Sequence, residues 1–350
     1  MKKLLIITSL ATLFALESKA GNPDRVGSAG ASHLLINPWA RSAGLANSAM
    51  ASVNGVEACF LNVAGLAFTK RTDLVFSSSN YLAGTGIKLN AVGLGQKVGE
   101  SGALGLTVVN MNFGDLAITE TDLPEGGIGT FSPRYTNIGI SYAKGFSNSI
   151  YGGITMKVIS EAIYNVRAQG VAFDAGIRYV TGEKDNVRFG ITLRNVGPPM
   201  RYKGDGLSTT ATISTGSAGS TTLTMDQRSE KYELPSLVNV GFAYDHDFTE
   251  TLKLTGNAQF TSNSFSRDQM GLGLDLAFRE RFILRGGYMW DVGTTSEGND
   301  GRTSVFTGPT AGLTVQVPAG TKGSVIGLDY SYRVTNPFAG VHSMGVHITL

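Results

Sequence analysis

The sequence predicts an all-β fold: a transmembrane antiparallel β-barrel of about 14 strands, with a short helical N-terminal plug segment. Three observations predict it. From Thr72 to Leu350 the chain is a succession of segments in which apolar and polar residues alternate with period two, the pattern of a strand whose two faces meet different solvents. Every second link between these segments is short, and the three long links all fall in the other set, as in barrels with tight periplasmic turns and larger external loops. The composition fits the same picture. Of 350 residues, 46 are glycine and only 16% are charged, against about 25% charged in soluble domains, while mean hydropathy is near zero at +0.04.

The elements follow in order. Lys2 and Lys3 precede an uncharged apolar stretch from Leu4 to Leu16, and Ser18-Lys19-Ala20 ends in small residues. This reads as a signal peptide over 1–20, cleaved between Ala20 and Gly21. The apolar stretch is short of the roughly 20 residues a spanning helix needs. Removing the peptide, which carries three lysines and Glu17, leaves a formally neutral chain, and no basic excess points to nucleic acid. Residues 21–71 form the expected plug segment. Ala40 to Ala51 favours a short helix of small residues before the turn signal Asn54-Gly55, and it is too weakly amphipathic to fold without a wall to lie against. The barrel occupies 72–350.

Its fourteen expected strands fall near 72–83, 86–98, 101–114, 134–146, 149–165, 168–181, 186–197, 236–247, 251–264, 268–279, 281–292, 304–318, 323–335 and 338–350. In one, Leu272, Leu274, Leu276 and Phe278 share a face opposite Gly271, Gly273, Asp275 and Arg279. Another sets Phe173, Ile177 and Tyr179 against Asp174 and Arg178. The charges Asp174, Arg178, Arg188, Arg194, Asp275, Arg279, Arg285, Asp329 and Arg333 all fall on the non-lipid face, because Arg or Lys facing lipid costs about 2–4 kcal/mol at the midplane. The glycines of that face would let a plug approach the wall. Long links near 115–133, 198–235 and 293–303 all belong to the external set. Cys59 is the only cysteine, so an internal disulfide and Cys-rich metal sites are excluded.

One stretch carries a family likeness. The string from His33 to Leu45, HLLINPWARSAGL, and the later Phe60 to Ala67, FLNVAGLA, resemble the N-terminal signature of the PorV/PorQ family, closer to PorV. These are FadL-like outer-membrane barrels of the type IX secretion system of Bacteroidota. Val63 stands where the family's box usually has proline. The resemblance implies a non-enzymatic accessory of protein secretion, with the translocon pore protein and secreted cargo C-terminal domains as partners. It marks Pro38, Arg41, Gly44, Asn62 and Gly65 as candidate plug-motif residues.

Little catalytic chemistry emerges. In Asp245-His246-Asp247 the histidine points away from both carboxylates in a strand. His33, His342 and His347 lack metal-ligand spacing. Gly93-Leu94-Gly95 and Gly271-Leu272-Gly273 lack the third glycine of a dinucleotide site. Glu297 to Gly301 reads as a plain external loop rather than a calcium site. No enzyme and no cofactor are expected. The 198–235 link has a Ser/Thr/Gly/Ala middle, Leu207 to Thr224, of a kind that stays mobile without a partner. Arg201, Tyr202, Lys203, Arg228, Lys231 and Tyr232 flank it as a candidate partner-docking loop. Two functions are in view. The secretion accessory predicts docking through external loops. The alternative, a FadL-like transporter or channel for hydrophobic small molecules, predicts an apolar pocket running from the outer mouth past the plug.

Overall fold

The computed structural model describes residues 25–214, 220–292, 305–319, 323–335 and 338–350. Fourteen strands form the wall: β1 Thr72–Asn80, β2 Lys88–Val98, β3 Gly102–Asn112, β4 Arg134–Gly145, β5 Ile150–Ile163, β6 Val166–Thr181, β7 Val187–Val196, β8 Leu237–Thr249, β9 Leu252–Asn263, β10 Gln269–Phe278, β11 Phe282–Asp291, β12 Gly308–Pro318, β13 Val325–Arg333 and β14 Val341–Thr349. Each pairs antiparallel with its neighbours in sequence, and β1 pairs with β14. The sheet therefore closes and leaves no open strand edge to lipid, as a membrane-spanning sheet requires. A register row that leaves β6 at Arg167 passes Asn80, Leu274 and Val187 and returns to β6 at Thr181. That offset gives the strands their tilt against the barrel axis.

Alternation sets the two faces. Phe173, Ile177 and Tyr179 of β6, Leu272, Leu274 and Phe278 of β10, and Leu328 and Tyr330 of β13 are exposed on the outside, forming the apolar belt. Asp174, Arg178, Arg194, Arg285 and Asp329 are buried on the inside. Arg279 departs from its expected inward position. It lies beyond the end of β10 and, with Glu280, takes a positive φ of 52° in the turn to β11, so the strand's parity no longer governs it. The Leu207–Thr224 stretch also differs. Ser208–Ser214 and Ser220–Asp226 pair as a β-hairpin, because its β-branched threonines suit extended backbone. The proposed signal peptide, the Ala20–Gly21 cleavage point and the 293–303 loop lie outside the described residues.

Residues 25–71 lie inside the wall. They hold two short helices, α1 Ala40–Ala43 and α2 Ala58–Leu61, with 3-10 turns at Ser32–Leu35, Ser48–Ala51, Gly55–Glu57 and Val63–Phe68. The Ala40–Ala51 stretch is not one helix, because Ala46 and Asn47 take left-handed conformations. Trp39, Met50, Val56, Leu61 and Leu66 are at most 1% exposed. They reach the wall where it lacks side chains: a Cβ on Gly93, Gly105, Gly190 or Gly287 would run into Val56, Cys59, Met50 or Leu45. Among the described residues no helix is long and apolar enough to cross a membrane.

Candidate functional site

The lower lumen, near the short turns, is held by buried polar groups. Arg178 is fully buried. Its Nη1 donates to Asn54 Oδ1 at 2.6 Å, and its Nη2 donates to the Val53 carbonyl. Arg41 Nε donates to Glu57 Oε1 at 3.0 Å, while the other Glu57 oxygen accepts from Ser42 N–H at 3.1 Å. Asp73 at the start of β1 accepts from Val56 N–H at 3.1 Å. Asn62 Oδ1 accepts from Ala64 N–H at 3.1 Å, and its Nδ2 donates across to the Ile177 carbonyl at 3.2 Å. A charge taken from water is stable only when such partners meet it.

The outer mouth is built differently. Here the first described residues run beside the long β7–β8 loop, with Gly30 N–H donating to the Glu233 carbonyl at 3.0 Å and Arg25 paired with Glu233 at 2.5 Å. Glu161, near the end of β5, is the hub. It is 3% exposed and accepts from Tyr202 OH at 2.5 Å and Tyr232 OH at 2.8 Å, with His33 Nδ1 at 3.3 Å. Burial, and then the hydrogen bond to Glu161 and its charge, push the Tyr232 phenol up, so it stays a donor. This cluster ties strand, loop and N-terminal segment together.

On the opposite side of the same segment the packing opens. A cavity of about 330 Å³ lies between Val26, Ala29 and Leu35 of the segment and Pro235, Phe265 and Phe306 of the surrounding loops. Its lining is mainly apolar by area, with Asn263, Arg267, Gln269 and Asp291 among its polar side chains, and Asn263 and Gln269 are shared with the smaller cavity below. Below it a cavity of about 50 Å³ continues between Leu61, Arg194, Asn239 and Gln259. Arg194 stacks over the Phe60 ring at 4.0 Å and donates to the Leu34 carbonyl at 3.3 Å, which narrows the way down. The apolar space thus begins at the mouth and ends on the N-terminal segment, rather than running past it.

The structure places the sequence candidates as follows. Pro38, Arg41, Gly44, Asn62 and Gly65 all lie in the lumen. Gly44 packs on Gly312 of β12, and a Cβ on Gly65 would meet Arg178 Nη2 at 2.7 Å and Ala58 Cβ at 2.8 Å. The loop candidates divide: Tyr202 and Tyr232 turn inward onto Glu161, whereas Lys203, Arg228 and Lys231 are exposed and Arg201 is half-buried. Asp245 faces inward to Arg188 and Lys253, while His246 faces outward against Phe248. Sequence reasoning did not single out Glu161, Val26 or Phe265. The two tyrosines beside the loop were the only pointer to that cluster. Among the described residues no group of His, Cys, Asp and Glu could hold a metal ion.

No protein-family model matches the chain, and no curated protein matches it in sequence. Solved structures do match. The chain is similar to the CymD monoaromatic hydrocarbon channel at 13% identity and a TM-score of 0.54, covering 90% of this chain and 96% of that one. It is similar to the Pseudomonas putida toluene transporter TodX at 12% identity and a TM-score of 0.53, covering 89% and 96%. A TodX deltaS2S3 mutant, also a monoaromatic hydrocarbon channel, matches at 12% identity and a TM-score of 0.51, covering 84% and 93%. The chain has the closed β-barrel fold of these channels. The same matches correct the PorV/PorQ reading, because these solved structures are small-molecule channels. The type IX translocon and secreted cargo fall away as partners with it. The physical reason is that Trp39, Asn62, Val63 and Leu66 of the two motifs are buried against the wall. The motifs report how a segment packs inside a barrel, not which protein docks outside it.

Proposed function

We propose that this protein is a non-catalytic channel that admits small hydrophobic molecules across the outer membrane, with residues 25–71 as its plug. The single observation that carries the reading is the apolar cavity of about 330 Å³ at the outer mouth. An apolar cavity of about 150 Å³ is enough to hold benzene, so one aromatic ring fits here with room to turn. The likeness to monoaromatic channels supports the same class of ligand. Entry is driven by removing apolar surface from water, at about 25 cal/mol per Å². Release toward the periplasm requires the plug to shift, since Leu61 and Arg194 close the floor.

The test is binding of a fluorinated benzene to the full chain in lipid nanodiscs, followed by fluorine NMR. Saturable binding that toluene displaces is expected, with a parallel rise in toluene uptake by cells carrying the protein. Partition no greater than into empty nanodiscs would sink the proposal.

A further inference from the structure

The outward face of β2–β6 carries a row of cations that the channel reading leaves unused. One register row runs Lys88, Asn112, Arg134, Ala162, Arg167 and Lys203. Lys88, Arg134, Arg167 and Lys203 are all exposed, and among the described residues none has an acid within ion-pair distance. Of the acids nearest in sequence, Glu161 faces the lumen, and Asp205 is exposed and makes no ion pair among the described residues.

What lies beneath the row fixes its environment. Two residues down each strand come Asn90, Asn110, Thr136, Ser160 and Gln169, polar and uncharged. Two further come Val92, Val108, Ile138, Val158 and Val171, the start of the apolar belt. This face therefore reads apolar, then neutral polar, then cationic from the belt outward, the order of acyl chain, glycerol or sugar, and phosphate in a lipid. Lys88, Arg134 and Arg167 sit on every second strand, about 10 Å apart, and Lys203 lies directly beside Arg167, about 5 Å away. The strand tilt spreads them over roughly 10–14 Å of depth, which suits a headgroup carrying more than one phosphate. Among the described residues the other half of the outer rim has no such row. Its outward residues at the ends of β11, β13 and β14 include Tyr288, Trp290, Tyr332 and His342, an aromatic border suited to any lipid.

We infer that Lys88, Arg134, Arg167 and Lys203 form a binding surface for a phosphorylated glycolipid of the outer leaflet, whose acyl chains lie on the apolar belt directly below. Clustered Lys and Arg beside a membrane-embedded surface recognise anionic headgroups by charge, and Arg adds bidentate contacts to phosphate.

The test is native mass spectrometry of the full chain in mild detergent, with a bis-phosphorylated glycolipid as probe. The wild type is expected to retain it, and Lys88→Ser/Arg134→Ser/Arg167→Ser/Lys203→Ser to retain at least about tenfold less. The dephosphorylated glycolipid should bind wild type no better than the phosphorylated one binds the variant. Millimolar inorganic phosphate should not displace the lipid, since acyl contacts remain. Equal retention by wild type and variant, equal retention of the dephosphorylated lipid, or displacement by free phosphate would each overturn the inference. Two half-variants, Lys88→Ser/Arg134→Ser and Arg167→Ser/Lys203→Ser, carry the test if the fourfold variant does not fold. Each is expected to lose roughly threefold, and unchanged retention in both counts against the surface.

Discussion

In the lower lumen the plug meets the wall through glycines and buried charges; in the upper lumen it meets loop side chains and leaves about 330 Å³ between them. Below, Gly65, Arg178, Asn54 and Asn62 interlock with no room for an added methyl group. Above, one side is fastened by the Glu161 cluster and the other is apolar and open. The difference teaches that sealing and capture are separable. Close-packed interiors tolerate little change in volume, so the lower contacts decide whether the barrel leaks. The upper lining decides what it holds.

The sharpest way to break this division is Gly65→Val. Its side chain would overlap the Val53 carbonyl, Arg178 and Ala58, and overpacking of that kind costs about 3 kcal/mol. The barrel should still form and show heat-modifiable gel migration, while conductance in planar bilayers rises at least about tenfold as the plug is displaced. Unchanged conductance would mean that the seal lies elsewhere. Next in size is Arg178→Leu, which leaves Asn54 Oδ1 and the Val53 carbonyl without their donor. A loss of about 2–3 kcal/mol in plug stability is expected, read as faster hydrogen exchange over residues 50–65. Exchange as slow as in wild type would show that the glycine contacts alone hold the plug.

The wall was legible in the sequence because a period of two is imposed by the backbone itself, so Leu272, Leu274, Leu276 and Phe278 announce both a strand and its outer face. Arg279 was misplaced because parity says nothing once the chain enters the three-residue turn between Phe278 and Phe282. The hairpin at 208–226 was hidden because its composition resembles a loop, and only cross-strand pairs such as Thr209 with Met225 reveal it. The glycines of the inner face announced a close neighbour, and Gly93 and Gly105 receive Val56 and Cys59. The outer cluster was not legible. His33, Glu161, Tyr202 and Tyr232 come from four separate stretches, and only closure of the barrel brings them together. The family reading failed for a related reason: its motifs encode packing in the lumen, which different outer-membrane functions can share.

The upper lumen gives a smaller and more selective effect. Phe265→Ala enlarges the cavity and removes a ring from its lining. Affinity for the fluorinated benzene should fall about tenfold, or roughly 1.4 kcal/mol, with plug exchange and conductance unchanged. A change in conductance would show that the two halves are coupled.

Cys59 sharpens the comparison at the smallest cost to the fold, since it reports on the lower lumen without a substitution. Burial pushes its thiol up to about 11, from 9.0, so the thiolate fraction at pH 8 is about a hundredfold below that of an exposed thiol. The sign is fixed: raising the pH toward 11 favours the thiolate, and lowering it protects the thiol further. In the wild type a maleimide should therefore leave Cys59 untouched at pH 8, even with toluene saturating the outer cavity. In Gly65→Val and Arg178→Leu the same thiol should label within minutes, because the displaced plug no longer holds it against Ala103, Gly105 and Ala143 of the wall. Labelling that toluene alone provokes in the wild type would instead show that filling the upper cavity releases the lower seal, and the two regions would then be one device.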